Sequence, residues 1–416
     1  MSSPIRRPLL PLMLNLVLAG PALAETSPYY LGVNQAISYD TNPARQPDAV
    51  AQSSWWSSTS LVGGIDQRYG RQHFYANGNV AANLYGQLDQ LDNTSYGLTA
   101  GWDWATIERL SGQLYAAYNE GLANYGGFNQ ANLFRVVKVT QASTLAYGRV
   151  EYGLVSLLAA DLRLAYSSNR YDSEDRVANA LFSPRNLDQG SVTVRVRKEF
   201  SGQLTLGTGL SYTRGDYFSV DRQFDRYDAF VLGIWEPTGQ STVSGRIGYS
   251  SWDYTGANPY DQSGVTGWVR WVYTPTGKLT FDTLLSYDTL ANSSLTDVGG
   301  GTPGGQGDTN RLTAGLQFTA TYAVTGKTSL NASLQYFART EDFLINPPPG
   351  QPPTPAEARD RVTNLSLGAT WLPARNWQVN CNLTLNDRNQ SSDSSAVTLT
   401  PYTAYGGSCA VQFLLQ

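Results

Sequence analysis

The chain has one histidine, His73, and two cysteines, Cys381 and Cys409, among 416 residues. Those counts bound the chemistry. Hydrolysis by a Ser–His–Asp arrangement needs an imidazole within reach of a hydroxyl and an acid, and His73 has Ser60 and Asp66 on the neighbouring segment. A lone histidine beside a short turn is more often a polar wall residue, so hydrolysis ranks last among the readings and no enzyme is expected. The sequence has no His/Cys/Asp/Glu cluster at metal-ligand spacing and no glycine-rich phosphate loop, so neither metal nor cofactor is expected. What remains are arginines (Arg149, Arg163, Arg195, Arg197, Arg246, Arg270) and aromatics (Tyr75, Tyr85, Tyr115, Trp252, Trp268). Guanidinium forks pair with carboxylates and phosphates, and flat rings can lie against sugar rings. Such a set suits an anionic, hydroxyl-rich chain, provided all of it points into one space.

The elements that could do this are strands. In "TSYGLTAGWDWATIERLSGQLYAAY" (94–118), Tyr96, Leu98, Ala100, Trp102 and Trp104 alternate with Ser95, Gly97, Thr99, Gly101 and Asp103. A period of two means an extended strand with one apolar and one polar face. The pattern recurs along the chain in about 18 segments, joined alternately by short turns such as "TPTGK" and "VTGK" and by longer polar loops. That rhythm is expected of an outer-membrane barrel. Aromatics supply an independent test. Odd segments end in Tyr39, Tyr118, Tyr166, Tyr212, Tyr249, Tyr287 and Tyr336; even ones end near Trp102, Tyr152, Phe200, Trp235, Trp271, Tyr322, Trp371 and Phe413. Two aromatic girdles on one face mark two membrane interfaces. The apolar face therefore meets lipid. The fold expected is all-β: a transmembrane antiparallel up-and-down barrel of about 18 strands, with 16 as the alternative count.

Residues 1–24 read as a signal peptide, with Arg6 and Arg7, an apolar run from Leu9 to Ala19 and an Ala22-Leu23-Ala24 end. Residues 25–416 then form one barrel in the Gram-negative outer membrane, surrounded by its lipid. A net charge of −4 gives no reason to expect a nucleic-acid partner.

Parity sends the arginines inward, together with Asp66, Arg68, Asp103, Glu151, Asp161, Asp282 and Arg339. A short turn near 155–157 places Arg149 opposite Arg163 and Glu151 opposite Asp161; the 256–262 loop places Arg246 opposite Arg270. Opposed like charges cost energy unless solvated or screened. The competing view of each residue is that a wet pore tolerates charge anywhere. A constriction would come from folded-in loops, with "GGGTPGGQGD" (299–308) and "NPPPGQPPTP" (346–355) as candidates beside the plainer reading of surface loops. Cys381 and Cys409 share the lipid-facing parity, and a hairpin symmetric about residue 395 sets them opposite each other. Two readings stand: a cross-strand disulfide, or two unlinked lipid-facing thiols.

Three stretches carry a resemblance: "ISYDTNP" (37–43), "GRQ" (70–72) and "LYGQLDQLDNTSYGLTAGWDW" (84–104). Through Tyr39, Asp40, Asn42, Arg71, Gln72, Leu91, Asp92, Trp102 and Trp104, the first quarter resembles the EpsL-type exopolysaccharide-biosynthesis barrels of the outer membrane. The resemblance implies a porin-like, passive conduit for a secreted polysaccharide, working with periplasmic and inner-membrane synthesis and export proteins. It supplies no catalytic residues. The chain ends "VQFLLQ" where barrel proteins commonly end in an aromatic. The rival readings are a general or sugar-uptake porin and a non-conducting barrel that scaffolds the polysaccharide machinery.

Overall fold

The computed structural model describes residues 27–123, 125, 136–155, 157–219, 221–256, 262–289, 311–345, 354–392 and 401–415. The stretch read as a signal peptide, the loop candidate 299–308 and residues 346–353 of the candidate 346–355 lie outside the described residues.

The strands are β1 (Tyr29–Asp40), β2 (Ser54–Tyr69), β3 (Gln72–Tyr85), β4 (Asn93–Ala105), β5 (Leu110–Leu122) and β6 (Thr140–Leu154). Next come β7 (Leu158–Asp172), β8 (Leu187–Ser201), β9 (Leu204–Tyr217), β10 (Arg222–Thr238), β11 (Ser241–Gly256) and β12 (Gln262–Thr276). The last six are β13 (Leu279–Thr289), β14 (Arg311–Thr325), β15 (Thr328–Ile345), β16 (Thr354–Ala374), β17 (Trp377–Ser392) and β18 (Tyr402–Leu415). They pair antiparallel in chain order as one 18-stranded sheet, and β1 also pairs with β18. The sheet is a closed barrel, which leaves no unpaired edge in lipid.

Alternation decides what each face meets. Leu31, Val33 and Ile37 of β1 are exposed on the exterior, while Asn34 and Ser38 of the same strand point inward. The exterior aromatics sit at both strand ends, with Tyr39, Tyr166, Tyr249 and Tyr287 at the long-loop end. Tyr152, Phe200, Trp235, Trp271 and Trp371 are exposed at the short-turn end. Gly70 (φ 60°) leads the tight turn between β2 and β3, where a side chain would be strained.

The seam between β1 and β18 carries a brace at its long-loop end. The Thr41 N–H donates to the Tyr405 carbonyl (2.9 Å), the Tyr405 N–H to Thr41 Oγ1 (2.9 Å), and the Thr403 N–H to Asp48 Oδ1 (2.8 Å). On the exterior of the adjoining hairpin, Cys381 and Cys409 are directly opposed and bonded to each other, with Cα atoms 4.1 Å apart.

Among the described residues, four other loops pack together. Those joining β1–β2, β3–β4, β5–β6 and β7–β8 build a small apolar core of their own. It contains Ala44, Leu88, Leu91, Val139, Ala178 and Phe182. A short helix, α1 (Arg176–Phe182), supplies the last two, and Asp175 caps it by accepting from the N–H groups of Val177 and Ala178. The Tyr125 hydroxyl ties the β5–β6 loop together, donating to the Val137 carbonyl (2.8 Å) and accepting from the Val139 N–H (3.0 Å). This core packs on Tyr85 and Tyr171, whose parity is inward, so the loops fold over the lumenal rim.

Candidate functional site: a two-walled lumen

The inward side chains divide the lumen into two chemically different walls. Strands β6 to β13 carry charge. Arg149 lies opposite Arg163 and Glu151 opposite Asp161, as the short turn requires. The like charges are nevertheless not left facing each other. Arg149 Nη2 donates to Glu151 (2.7 Å) and to Asp161 (3.4 Å), while Arg195 Nε donates to Asp161 (3.0 Å). Arg197, on β8, reaches over β7 to Glu151 on β6 (2.5 Å) and lies 3.5 Å from Asp161. Asp161, with its side chain 1% exposed, is the hub of this cluster. The fourth guanidinium, Arg163, lies over the Tyr147 ring at 4.4 Å.

A second cluster lies on β10 to β13. Arg226 donates to Asp228 (2.9 Å), Ser250 (3.2 Å) and Asp288 (3.1 Å). The last contact spans β10 to β13, so Arg226 crosses the inner surface of two intervening strands. Burying such a charge is tolerable only because it is paired and fully hydrogen-bonded. Arg246 packs on Phe230 at 3.9 Å and lies 3.4 Å from Asp228, and Arg270 is paired with Asp282. Towards the long-loop end of β15 to β17, Arg388 donates twice to Asp360 at 3.0 Å, with Arg339 at 3.5 Å.

Three expectations need correcting. Arg246 lies opposite Trp268, not Arg270, which lies opposite Ser244. The connection is lopsided: Asp253–Gly256 pair with β10, whereas the β12 ladder stops at Trp252–Gln262. Tyr115 presents no open ring face. It is 7% exposed and stacked on Tyr147 at 5.0 Å, whose ring also meets Arg163, making a Tyr115–Tyr147–Arg163 pile. Trp252, at 1% exposure, gives its face to Arg226 (4.5 Å) within an aromatic cluster of Tyr217, Phe224 and Tyr254. Trp268 is half-buried beside Arg246, and its indole N–H is buried without a protein partner.

The opposite wall, β14 to β18, carries amides and hydroxyls. Gln317, Gln335, Asn364 and Asn386 fall in one cross-strand row. Below it Ser366 donates to Asn382 Oδ1 (2.8 Å), Thr370 to Asn380 Oδ1 (2.9 Å) and Gln378 to the same oxygen (3.2 Å). Each amide has two N–H donors and a carbonyl with two lone pairs, so these contacts leave hydrogen-bonding capacity facing the lumen. Gln317 Nε2 is buried with no protein partner.

His73 stands on neither wall. Its ring contacts Asp66 (2.8 Å) and Asp103 (3.6 Å), whereas Ser60 lies opposite Ala81, eight residues from His73 along β3. Among the described residues, the polar groups recorded against the imidazole are these two carboxylates. Because Asp66 is exposed, the pair adds little; His73→Ala should alter stability by less than about 1 kcal/mol in urea unfolding and leave conductance unchanged. A collapse of either would restore a functional role to the imidazole.

The residues that carried the family resemblance close loops and turns. Asp40 accepts from the Asn42 N–H (2.7 Å) and from Arg45 (2.8 Å). Arg71 donates to the Thr106 carbonyl (2.5 Å), and the Trp102 indole donates to Gln72 (2.8 Å). Asp92 accepts from the Tyr85 N–H (2.6 Å), and Leu91 lies in the loop core. They set the frame of β1 to β4 and contribute nothing to the charged wall. The aligned charges that parity reading missed, Arg226, Asp288, Asp360 and Arg388, lie near the long-loop ends of their strands.

No protein-family model and no curated protein matches the chain. Among solved structures it is similar in fold to the FrpB iron transporter of Neisseria meningitidis (F3-3 variant). The TM-score is 0.48 at 10% identity, over 89% of this chain and 64% of that one, so the match spans less than two thirds of that chain. It is also similar to Pseudomonas aeruginosa OccK2, crystallised with glucuronate, with a TM-score of 0.48 at 10% identity over 93% and 98% of the two chains. P. aeruginosa OccK1 gives 0.45 at 13% identity, again over 93% and 98%.

Proposed function

We propose that the chain is a passive outer-membrane channel for small anionic, hydroxyl-rich solutes. The observation that carries this reading is the two-walled lumen. Arg149, Arg163, Arg195 and Arg197 outnumber Glu151 and Asp161, giving β6 to β8 a positive surplus, while β14 to β18 offer paired donors and acceptors. A solute carrying both a carboxylate or phosphate and several hydroxyls has complementary groups on both sides. Small size is the part of the reading that rests on the rim, where the loop core on Tyr85 and Tyr171 and the aromatic cluster at Trp252 both lie at the long-loop mouth. His73 has no catalytic role in this reading, and flow is driven by the concentration difference alone.

The experiment is single-channel recording of the refolded mature chain in a planar bilayer under a steep KCl gradient. The reversal potential should report a preference for chloride. The double substitution Arg163→Gln, Arg246→Gln should move it towards zero while leaving the folded band on a gel unchanged. A cation-selective parent channel would overturn the reading, and so would a folded protein with no conductance, which would favour a scaffold.

A second reading is supported by the amide row Gln317–Gln335–Asn364–Asn386 across β14 to β17, with the hydroxyls and amides beside it, and by the resemblance of residues 37–104. Such rows could pass a secreted polysaccharide from one hydroxyl to the next, with periplasmic and inner-membrane synthesis proteins supplying the drive. Added acidic polysaccharide should then block the conductance, whereas the small-solute channel is blocked only by short sugar acids.

A further inference from the structure

The Cys381–Cys409 bond lies where its own chemistry is forbidden. Both cysteines face the exterior, flanked on their strands by Val379, Leu383 and Val411. The short-turn girdle (Trp371, Trp377, Phe413) lies on one side of them and Tyr405 on the other, so the pair sits inside the apolar band. Disulfides form and exchange through thiolate attack. A thiolate in hydrocarbon carries the cost of an unpaired charge with no water to solvate it. Once the barrel is in the membrane, neither making nor breaking this bond has an accessible route.

We infer that the bond forms before insertion, in the periplasm, by exchange with a soluble protein or small molecule bearing a reactive disulfide. One cysteine thiolate attacks that disulfide, giving a mixed disulfide and releasing one thiol of the oxidant. The other cysteine then attacks the protein sulfur of the mixed disulfide, closing Cys381–Cys409 and releasing the second thiol. The pair loses two electrons and two protons, and the oxidant's disulfide becomes a dithiol.

The topology gives this order a purpose. Cys381 and Cys409 are direct partners in the β17–β18 ladder, and β18 turns its other edge to β1, with Cys409 opposite Ile37. A slip of one residue in that hairpin would send every side chain of β18 to the wrong face. A bond made in advance delivers the last strand to the seam already in register, and it then remains shielded by lipid for the life of the barrel.

The test follows the full-length chain in cells by pulse-chase. Free thiols are trapped with maleimide at each time, folded and unfolded forms are separated by cold gel, and the bond is read without reductant. The bond should appear in the unfolded, signal-cleaved population before any folded band. In a second measurement, assembled barrel in lipid vesicles is treated with a charged phosphine reductant, beside the same protein unfolded in urea. The assembled bond should survive and the unfolded one should be lost. Folded barrel with free thiols that later become bonded would overturn the inference. Reduction of the assembled bond at the unfolded rate, or absence of the bond from mature protein, would overturn it equally.

Discussion

Asp161→Ala should lower the unfolding free energy of the barrel by about 3–5 kcal/mol, the usual cost of removing one partner from a buried ion pair. The aspartate is the shared acceptor of Arg149 and Arg195, with Arg197 at 3.5 Å, and almost none of its side chain meets solvent. Truncation leaves guanidinium groups on three adjacent strands with Glu151 as their remaining close carboxylate. Their mutual repulsion acts at short range, where little water intervenes. Asp161→Asn keeps the shape and an acceptor, so it should recover part of the loss. Urea unfolding followed by tryptophan fluorescence in detergent measures the first effect, and the reversal potential in a salt gradient measures the second, a gain in anion preference. An alanine variant as stable as its parent would show that the cluster is solvated enough to be dispensable.

The next largest effect is expected at the rim. Leu91 is fully buried in the loop core, and Leu91→Asp would place a charge where the loops from β3–β4, β5–β6 and β7–β8 meet. Since an unpaired buried carboxylate is not tolerated, the loops should separate rather than bury it. The eighteen-strand ladder does not depend on that contact, so the barrel should still fold. Conductance should rise, and protease should now cut the segment around 86–92. Leu91→Ala, a loss of about 2–5 kcal/mol from the same core, should give an intermediate, noisier channel. Unchanged conductance in the aspartate variant would mean that the loops do not limit the pore.

How much of this was legible beforehand depends on where period two survives. Within the membrane the lipid face must be apolar, so alternation is enforced, and strand number, direction and the inward set of arginines all followed from it. The Arg149–Arg163 register followed as well, because a short, symmetric turn leaves no freedom. Beyond the lipid the constraint lapses. Asp225 and Tyr227 flank Arg226 on the outward face, and Arg361 and Thr363 flank Val362. With polar Asp225, Arg361 and Thr363 on the outward side, alternation of apolar and polar types fades, and it does not assign Arg226 and Asp360 to the lumen. The Arg246–Arg270 error arose at a lopsided loop, whose asymmetry lies in backbone pairing rather than in residue type. The loop core was invisible for a related reason. Leu88, Leu91, Val136 and Val139 are scattered singly in polar sequence, and only the closed barrel brings their loops to one rim.

The seam brace has a mechanical consequence. Thr41, Asp48, Thr403 and Tyr405 lock β1 to β18 at the long-loop end, whereas the short-turn end, where Leu31 lies opposite Leu415, is held by the ladder. Pulled apart, the barrel would unzip from the short-turn end, and its last bonds to break would be those at the long-loop rim. Closure run in reverse would begin at the long-loop rim.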